Sequence, residues 1–422
     1  MYLYDGDGNR YLDAVGGAGV AVIGHGVTEI GAALAAAGDT VTYAYGAAFT
    51  TPWQEEYAER LRELARPSEG GAVYFTSGGS EANETAVKLA RQYHVEQKKP
   101  GKYKVVARWH SFHGMTLGTL ALSARATARA PFEPYLMPVG RFATPDCYRC
   151  PFALEHPSCG IACADDLERV LLEEGPDSVA AVIVEPLVGT TLPAVTPPPE
   201  YYARIRAICD RYDVLLIDDE VLTGFGRTGR FLALSHWGVE ADIVTMGKGI
   251  GGGYAALGAV IAGQKIVDAL RGGTGQFVHG FTFSGLPASC LIGLAVLDHA
   301  ADLFPQVAAR GAYLRARLDD LKGRHDMIGA VRGRGLLVGM EFVQDRATRQ
   351  PIDPSRRFAA RVAAEAQRRG VLIRPGLPGT PPGQDGDHLQ ISPPYIIAEE
   401  HIDTLVSVVD DVVGAVFGEV LP

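Results

Sequence analysis

The stretch LLIDDEVLTGFGRTG, residues 215–229, carries an apolar run into a cluster of acids and then into a glycine-rich turn. A second apolar run follows in DIVTMGKGIGGGYAALGAV, residues 242–260, and it ends at a single lysine among glycines. Continuous β-rich runs of this kind are typical of strands buried on both faces, as in a parallel sheet. Asp219 ends such a strand, although acids are seldom buried without a partner. The two stretches therefore predict a buried sheet with Asp219 and Lys248 close to the ends of its strands.

The same alternation of apolar runs, glycine-rich turns and helical patterns extends over residues 70–265. It predicts an α/β fold with a mostly parallel sheet covered by helices. From about residue 296 charged helices dominate, and the first 40 residues carry the hairpin signal YDGDGNRYLDA. We expect a large domain over 41–295 and a smaller α+β domain formed by 1–40 and 296–422.

Composition narrows the class of protein. The chain has 422 residues, of which 47% are hydrophobic, as in a globular enzyme. Its net charge of −10 argues against nucleic acid as a partner, because phosphate backbones select basic surfaces. No apolar run reaches the roughly 20 residues of a membrane span, and no basic segment precedes an apolar one at the N-terminus. We therefore expect a cytoplasmic protein that binds neither membrane nor nucleic acid.

Glycines around Lys248 raise the question of a phosphate loop. Lys248 is followed by Gly249, whereas a nucleotide-binding P-loop needs a serine or threonine after its lysine. A better anion site is TSGGSEANE, residues 76–84, where a strand leads into a helix whose free N–H groups attract negative charge. A plain turn with Ser80 as the helix cap is the alternative. Lys248 is then free to form a covalent bond through its amine, and Asp219 could pair with a cofactor nitrogen. The alternative is that the acids at 218–220 hold magnesium.

At this point the residues match a family. The stretches at 215–229 and 242–260 resemble the class III, pyridoxal phosphate (PLP)-dependent aminotransferases of fold type I. Six further segments follow the order of that family: YDGDGNRYLDAVGGAGVAVIGHG (4–26), TSGGSEANETAVKLAR (76–91), SFHGMTLG (111–118), VIVEPLVG (182–189), HGFTFSGLP (279–287) and RGRGLLVGMEF (332–342). The resemblance covers nearly the whole chain and implies transfer of an amino group by a ping-pong mechanism. A racemase, epimerase or aminomutase of the same family is the alternative.

The resemblance implies a role for two catalytic residues and for the residues around the cofactor ring. Lys248 resembles the lysine that binds PLP as a Schiff base and then moves the substrate proton, and Asp219 the acid that keeps the pyridine nitrogen protonated. Val221, which strand alternation would turn to the same side as Asp219, and Phe112 match the residues on the two ring faces. His113 is a further candidate, for which structural hydrogen bonding is the favoured alternative.

The resemblance also implies the phosphate site and a partner subunit. Gly79 and Ser80 match the phosphate cup. Thr282 matches a threonine that reaches the phosphate from the other subunit of a homodimer. Glu185 matches a glutamate near the cofactor oxygen, with a purely structural role as its alternative. The substrates would be an amine or amino acid and a 2-oxo acid.

Four residues bear on the choice of substrate. Relatives of the ornithine type carry an arginine where this chain has Gln390, whereas amine-type relatives use a mobile arginine near the position of Arg374. The Pro/Gly-rich segment after Arg374 suggests a flexible gate, and a surface arginine is the alternative. Ala18 and Gly19 are small where several amine transaminases are bulky. These features favour an ω-amine or ω-amino acid as donor, with pyruvate or 2-oxoglutarate as acceptor.

Four cysteines lie outside every PLP motif. Cys147, Cys150, Cys159 and Cys163 follow the spacing C-x2-C-x8-C-x3-C, which resembles zinc knuckles. A structural metal, disulfides and free thiols all remain open, and His156 is a further possible ligand. We expect no metal in the catalytic site itself.

Overall fold

The structure is a computed structural model that describes residues 1–39, 41–66, 70–376 and 387–420. Its strands are β1 (Tyr2–Tyr4), β2 (Arg10–Asp13), β3 (Gly71–Thr76), β4 (Lys104–Arg108), β5 (Gly140–Phe142), β6 (Val179–Val184), β7 (Leu215–Asp219), β8 (Ile243–Met246), β9 (Gly258–Gly263), β10 (Ile328–Arg334), β11 (Leu337–Asp345), β12 (Gln350–Pro351), β13 (Val371–Leu372), β14 (Arg374–Pro375) and β15 (His388–Ile391). Its helices are α1 (Gly16–Gly19), α2 (Thr28–Gly38), α3 (Pro52–Ala65), α4 (Gly79–Glu96), α5 (Leu117–Leu122), α6 (Ala126–Arg129), α7 (Ala162–Glu174), α8 (Tyr201–Arg211), α9 (Gln264–Gly272), α10 (Pro287–Ala301), α11 (Phe304–Arg324), α12 (Phe358–Arg368) and α13 (Glu399–Val420).

A seven-stranded sheet in the order β3-β9-β8-β7-β6-β4-β5 forms the centre of the molecule. Neighbouring strands from β8 to β5 are parallel, whereas β9 runs antiparallel to both β8 and β3. Every residue of β6 and of β7 is buried, which explains why these strands read as continuous apolar runs. The prediction of a mostly parallel α/β sheet is confirmed.

Helices cover both faces of this sheet. Ala181 and Ile183 of β6 pack with Leu89 of α4 in one apolar cluster. Val182, between them in sequence, packs with Ile205 of α8 in the other cluster. Alternate residues of a strand point to opposite faces, so one apolar run supplies both layers of the core. The parallel strands thereby present their carboxyl ends together at one edge, where β7 and β8 lead into the stretches around Asp219 and Lys248.

Two smaller sheets complete the fold. One has the order β10-β11-β15-β14, with antiparallel neighbours. In the other, β1 and β2 form the expected antiparallel hairpin, and β2 pairs in parallel with β13 through Leu12 and Val371. Backbone hydrogen bonds therefore join the N-terminal hairpin to the strand at Val371–Leu372. The domain division stays a prediction: residue 40 lies outside the described residues, and α10 runs continuously through position 296.

No single helix in the described part of the chain has both the length and the apolar composition of a membrane span. Among the described residues, one pair of consecutive helices, α10 and α11, reaches that length and composition together, and the two meet at a bend of 60°. Most side chains of α10 are buried in the protein, including Ile292, Val296 and Leu297.

Candidate active site

Lys248 lies on a tight turn at the carboxyl end of β8. A short 3₁₀ turn, Lys248–Ile250, follows Gly247, and Lys248 itself has a φ of 45°. This left-handed conformation is uncommon for a residue with a side chain. A Cβ atom on Gly247 would lie 3.2 Å from the backbone nitrogen of Gly79, at the start of α4. The glycine therefore allows the lysine turn and the start of α4 to approach closely.

The amine of Lys248 has an unusual electrostatic environment. Burial lowers its pKa to about 8. The acids Asp219 and Glu185 oppose this shift, whereas the guanidinium groups of Arg374 and Arg227 add to it. In a fraction of the molecules the Lys248 amine is therefore uncharged near neutral pH. The uncharged amine is the nucleophilic form.

Three donors hold the carboxylate of Asp219. Its Oδ1 accepts the backbone N–H of Val221 at 3.1 Å. Its Oδ2 accepts the amide of Asn83 at 2.8 Å and lies 2.7 Å from Nδ1 of His113. Thr245 in turn donates to Oδ1 of Asn83 at 2.7 Å, which fixes the orientation of that amide. The carboxylate is therefore oriented by its surroundings before any ligand binds.

Sequence reasoning missed Asn83 and Thr245. Asn83 is 1% exposed beside Ala82 and Ala86 on the apolar side of α4, and Thr245 is buried within β8. A polar residue on an apolar helix face was the signal available in the sequence, because buried polar groups need partners. The partner itself could not be read from the sequence.

Glu185 follows β6 and joins the Phe112 loop to the site. Its Oε1 accepts the backbone N–H of Phe112 at 2.9 Å. Its own carbonyl accepts the hydroxyl of Tyr202 at 2.8 Å. Burial, and then the charge of Asp219, raise the pKa of Glu185 to about 8. The Glu185 carboxyl is therefore largely protonated at neutral pH. Phe112, which it contacts through the backbone, is half-buried.

Gly79 and Ser80 form the first turn of α4, where backbone N–H groups have no partner within the helix. The hydroxyl of Ser80 accepts the N–H of Met115 at 3.2 Å. A Cβ atom on Gly79 would lie 2.6 Å from Cγ1 of Val221, so this valine packs directly on the turn. Strand alternation was the wrong reason for placing Val221, because β7 ends at Asp219. The hydrogen bond to Asp219 sets its position instead.

These residues fit the cofactor that the resemblance implies. Lys248 offers an amine with a lowered pKa, and Asp219 offers an oriented carboxylate. The start of α4 offers free N–H groups to a phosphate, and its glycine meets the lysine turn. Lys248, Asp219 and the start of α4 thus lie together at the edge where the parallel strands of one sheet end.

Arg374 belongs to the same neighbourhood. It lies on β14, pairs in register with Gln390, and donates to the side-chain oxygen of Gln390 at 3.3 Å. Burial, and then the charge of Arg125, lower the pKa of Arg374. Arg374 is partly buried, and its charge contributes to the lowered pKa of Lys248, so it is not a surface arginine. The expected gate after it, residues 377–386, lies outside the described residues.

Ala18 and Gly19 line the turn between the N-terminal hairpin and α2. Ala18 has a left-handed φ of 63°, so α1 is an irregular turn. A Cβ atom on Gly19 would lie 2.7 Å from Cδ1 of Leu222, in the turn that follows Asp219. Nearby, a Cβ atom on Gly249 would lie 3.1 Å from Cγ1 of Val22. The structure thus packs this segment against the turns that carry both catalytic candidates.

Thr282 lies apart from these contacts. It is exposed in the turn before α10, and no hydrogen bond joins its side chain to the described part of this chain. The following Phe283 is 57% exposed. A role for Thr282 would therefore depend on another chain and stays a prediction.

The cysteine segment lies between β5 and α7. Its four thiols are free, and together with His156 they line a cavity of about 20 Å³. Burial, and then the neighbouring thiols, raise the pKa of Cys163 to about 12. Within the ranges that the structure describes, no group of three or more histidine, cysteine or acidic side chains is arranged to hold a metal ion. The thiols therefore share a small cavity without forming disulfides.

Comparisons with known proteins agree with this geometry. The sequence model of the family aminotransferase class-III matches residues 1–413. The chain is 37% identical over 417 residues to an uncharacterized aminotransferase, YodT, of Bacillus subtilis, covering 98% of this chain and 93% of that protein. It is 35% identical over 426 residues to the adenosylmethionine-8-amino-7-oxononanoate aminotransferase of Geobacter sulfurreducens, covering 99% and 91%.

Solved structures are similar over the same length. An amine transaminase from an uncultivated Pseudomonas species, in a PLP-bound internal aldimine form, superposes with a TM-score of 0.91 at 36% identity. That match covers 98% of this chain and 93% of the other. An (S)-enantioselective omega-transaminase from Thermomicrobium roseum gives a TM-score of 0.88 at 34% identity, covering 100% and 91%.

Proposed function

The chain belongs to the class III aminotransferases, PLP-dependent enzymes of fold type I, and on that premise we propose that it moves an amino group from an amine or ω-amino acid to a 2-oxo acid. The observation that carries the choice of substrate is Arg374, a partly buried arginine whose charge acts on Lys248. Ala18 and Gly19 are small residues beside the same turns, and Gly19 packs closely on Leu222. Two similar structures are described as an amine transaminase and an omega-transaminase, which supports this donor class.

In this proposal each residue of the site has a separate role. Lys248 would hold PLP covalently, Asp219 would keep a proton on its pyridine nitrogen, and the turn of Gly79 and Ser80 would bind its phosphate. Val221 and Phe112 would flank its ring. When bound, PLP supplies an electron sink for the substrate carbon that bears the amino group. The amine of Lys248, when free, would take the proton from that carbon and deliver it to the cofactor carbon that carries the amino group.

The proposed reaction is ping-pong. Water would release the donor as an aldehyde or ketone, with its amino group left on the cofactor, before the 2-oxo acid binds. The acceptor would then use the same residues in the reverse order and release water. Arg374 binds the acceptor carboxylate, because a guanidinium matches a carboxylate with two parallel hydrogen bonds. With a simple amine bound, Arg374 keeps its contact with Gln390.

We also propose a cytoplasmic homodimer in which Thr282 reaches the phosphate site of the partner. Exposed aromatic side chains support an interface on this chain, among them Tyr45, Phe49 and Phe283, which are 64%, 70% and 57% exposed. Sedimentation should give twice the chain mass, and Thr282→Ala should weaken PLP binding without changing the mass. A monomer at working concentration would contradict the dimer.

One experiment tests the proposed substrates. Holoenzyme is mixed with single amines, ω-amino acids and α-amino acids, and conversion of PLP to its aminated form is followed by absorbance. Amines and ω-amino acids should convert the cofactor, and pyruvate or 2-oxoglutarate should restore it. Loss of optical activity from a single amino acid, without conversion of the cofactor, would instead indicate a racemase.

A further inference from the structure

Tyr57 is a buried tyrosine of α3 whose hydroxyl reaches the lysine turn. The side chain is 0% exposed, and its hydroxyl donates to the carbonyl of Ile250 at 2.7 Å. Ile250 is the last residue of the 3₁₀ turn that begins at Lys248. Among the described residues no other group donates to this carbonyl. Since a buried carbonyl without a donor is unfavourable, the hydroxyl of Tyr57 completes the hydrogen bonding of the turn.

Packing from two further elements fixes the direction of this hydroxyl. The ring of Tyr57 stacks on that of Phe75 in β3, with centroids 5.5 Å apart and an interplanar angle of 9°. From α10, a Cβ atom on Gly293 would lie 2.5 Å from Cε1 of Tyr57, so a glycine is needed for the helix to approach the ring this closely. Burial raises the pKa of the Tyr57 phenol well above its usual range. The hydroxyl therefore remains a donor at neutral and moderately alkaline pH.

The lysine turn has a conformation that needs such support. Lys248 has a φ of 45°, which residues with a side chain seldom adopt and which persists only where surrounding contacts enforce it. Within the turn, the N–H groups of Gly251 and Gly252 donate to the carbonyl of Lys248, both at 3.1 Å. Residues 251–253 are all glycines, which restrict the backbone least. The contact with Tyr57 ties this glycine-rich segment to α3.

We propose that Tyr57 is a positioning residue for Lys248, which holds the lysine turn so that the amine lies in place for its bond to the cofactor. This rests on the proposed role of Lys248. In that step the amine forms a C=N bond to the aldehyde carbon of PLP, and the aldehyde oxygen leaves as water. Tyr57 acts through the turn and takes no part in these bond changes. A step between two bound groups depends steeply on their alignment, so a small displacement of the turn slows it.

The rate at which apoenzyme bonds covalently to PLP tests this inference. Tyr57→Phe keeps the ring and loses the hydroxyl, so its plateau rate at saturating PLP should fall by about tenfold. The PLP concentration that gives half of the plateau should stay within about twofold, because the phosphate turn at Gly79 and Ser80 is unchanged. A wild-type plateau in Tyr57→Phe, or a change in half-saturation alone, would overturn the inference.

Two further readouts separate positioning from a general loosening of the site. Tyr395→Phe is a matched control, since Tyr395 is also 0% exposed and its hydroxyl donates to the carbonyl of Phe225 at 2.7 Å. Both variants should lose thermal stability, but only Tyr57→Phe should lose plateau rate. Its plateau rate should still level off above about pH 8, because Lys248 stays buried, whereas entry of water would move the curve to higher pH. Equal rate losses in the two variants, or a displaced curve, would contradict positioning.

A second variant tests the same contact without removing the hydroxyl. Gly293→Ala places a methyl group against the Tyr57 ring and displaces it. Its plateau rate should fall as in Tyr57→Phe. Gly323→Ala, at a position of α11 where an added Cβ atom meets nothing within 4 Å, should keep the wild-type rate. A wild-type plateau in Gly293→Ala would reject the role of Tyr57 even if Tyr57→Phe failed to fold.

The roles of Lys248 and Tyr57 fail in different ways. If borohydride traps no adduct with PLP in the wild type, or traps it equally in Lys248→Ala, the role of Lys248 fails. If the wild type forms the adduct through Lys248 and Tyr57→Phe forms it at the same rate, only the role of Tyr57 fails.

Discussion

Nδ1 of His113 lies 2.7 Å from Oδ2 of Asp219, and the two side chains are 0% and 3% exposed. The same oxygen accepts the amide of Asn83. The acid proposed to hold the cofactor nitrogen is thus fixed by two side chains from separate parts of the chain. Asn83 is itself held by the hydroxyl of Thr245, so these contacts orient the carboxylate.

Asn83→Ala should reduce turnover by about tenfold, because one charge-assisted hydrogen bond to Asp219 is lost. The absorbance of the bound cofactor should also titrate at a different pH, since Asp219 would be held by fewer donors. Asn9→Ala, which removes a surface amide bonded to Asp5, is the control. An unchanged titration curve in Asn83→Ala would show that Asn83 only fills space.

Lys248→Ala should abolish the covalent adduct between PLP and the protein that borohydride traps, because the amine that forms it is gone. Mass spectrometry of the reduced protein gives the result. Lys99→Ala, at an exposed lysine paired with Asp213, should keep the full adduct. An adduct that survives in Lys248→Ala would reject the role of this lysine.

The rate at which apoenzyme bonds to PLP should rise with pH and level off above about pH 8. Lys248 is an unreactive ammonium below its pKa of about 8 and a free amine above it. A lysine with an ordinary pKa of about 10.4 would continue to gain reactivity well beyond this range. Stopped-flow absorbance from pH 6 to 10 measures the curve. A rise that continued to pH 10 would contradict the lowered pKa.

Glu185→Gln should stabilise the apoprotein more at pH 8.5 than at pH 5.5. The folded state holds the Glu185 proton up to about pH 8, whereas the unfolded state releases it near the ordinary pKa of 4.5. Folding therefore binds a proton between these values, and its free energy becomes less favourable as pH rises through them. Glutamine can still accept the N–H of Phe112 and has no proton to lose.

Thermal midpoints of the wild type and Glu185→Gln at both pH values measure this effect. Glu29→Gln, at an exposed position of α2, controls for the general effect of removing a negative charge. A difference between Glu185→Gln and wild type that did not grow with pH would disprove the raised pKa.

Arg374→Ala should lower kcat/KM for the 2-oxo acid by about 10- to 100-fold, since a charged hydrogen-bond partner of the carboxylate is lost. Simple amines lack a carboxylate and should react within a few-fold of the wild-type rate. Single-turnover rates for each half-reaction separate the two effects. Equal losses in both half-reactions would mean that Arg374 supports the site structurally.

Much of the fold could be predicted from the chain because its strands are buried on both faces. The run at 179–186 was predicted as a strand, and the structure has Val179–Val184. The prediction for Val221 went wrong in its reasoning, since a two-residue period applies only while a strand continues and β7 ends at Asp219. The end of a strand depends on which neighbours pair with it.

Asn83 shows why part of the site could not be predicted. It contacts Asp219, which is 136 residues away in sequence, and nothing near either residue identifies the other. A contact of this kind does not follow from local spacing.

The α/β class and the family could be predicted from the chain alone, and Lys248 and Asp219 proposed as its catalytic residues, because apolar periodicity and local motifs are properties of neighbouring residues. The electrostatic environment of those residues follows from the tertiary fold. The pKa of Lys248 and the donors on Asp219 depend on burial and charge contributed by distant segments. Electrostatic interactions act through space and not along the chain, so they are established only when folding brings the carboxyl ends of the parallel strands together.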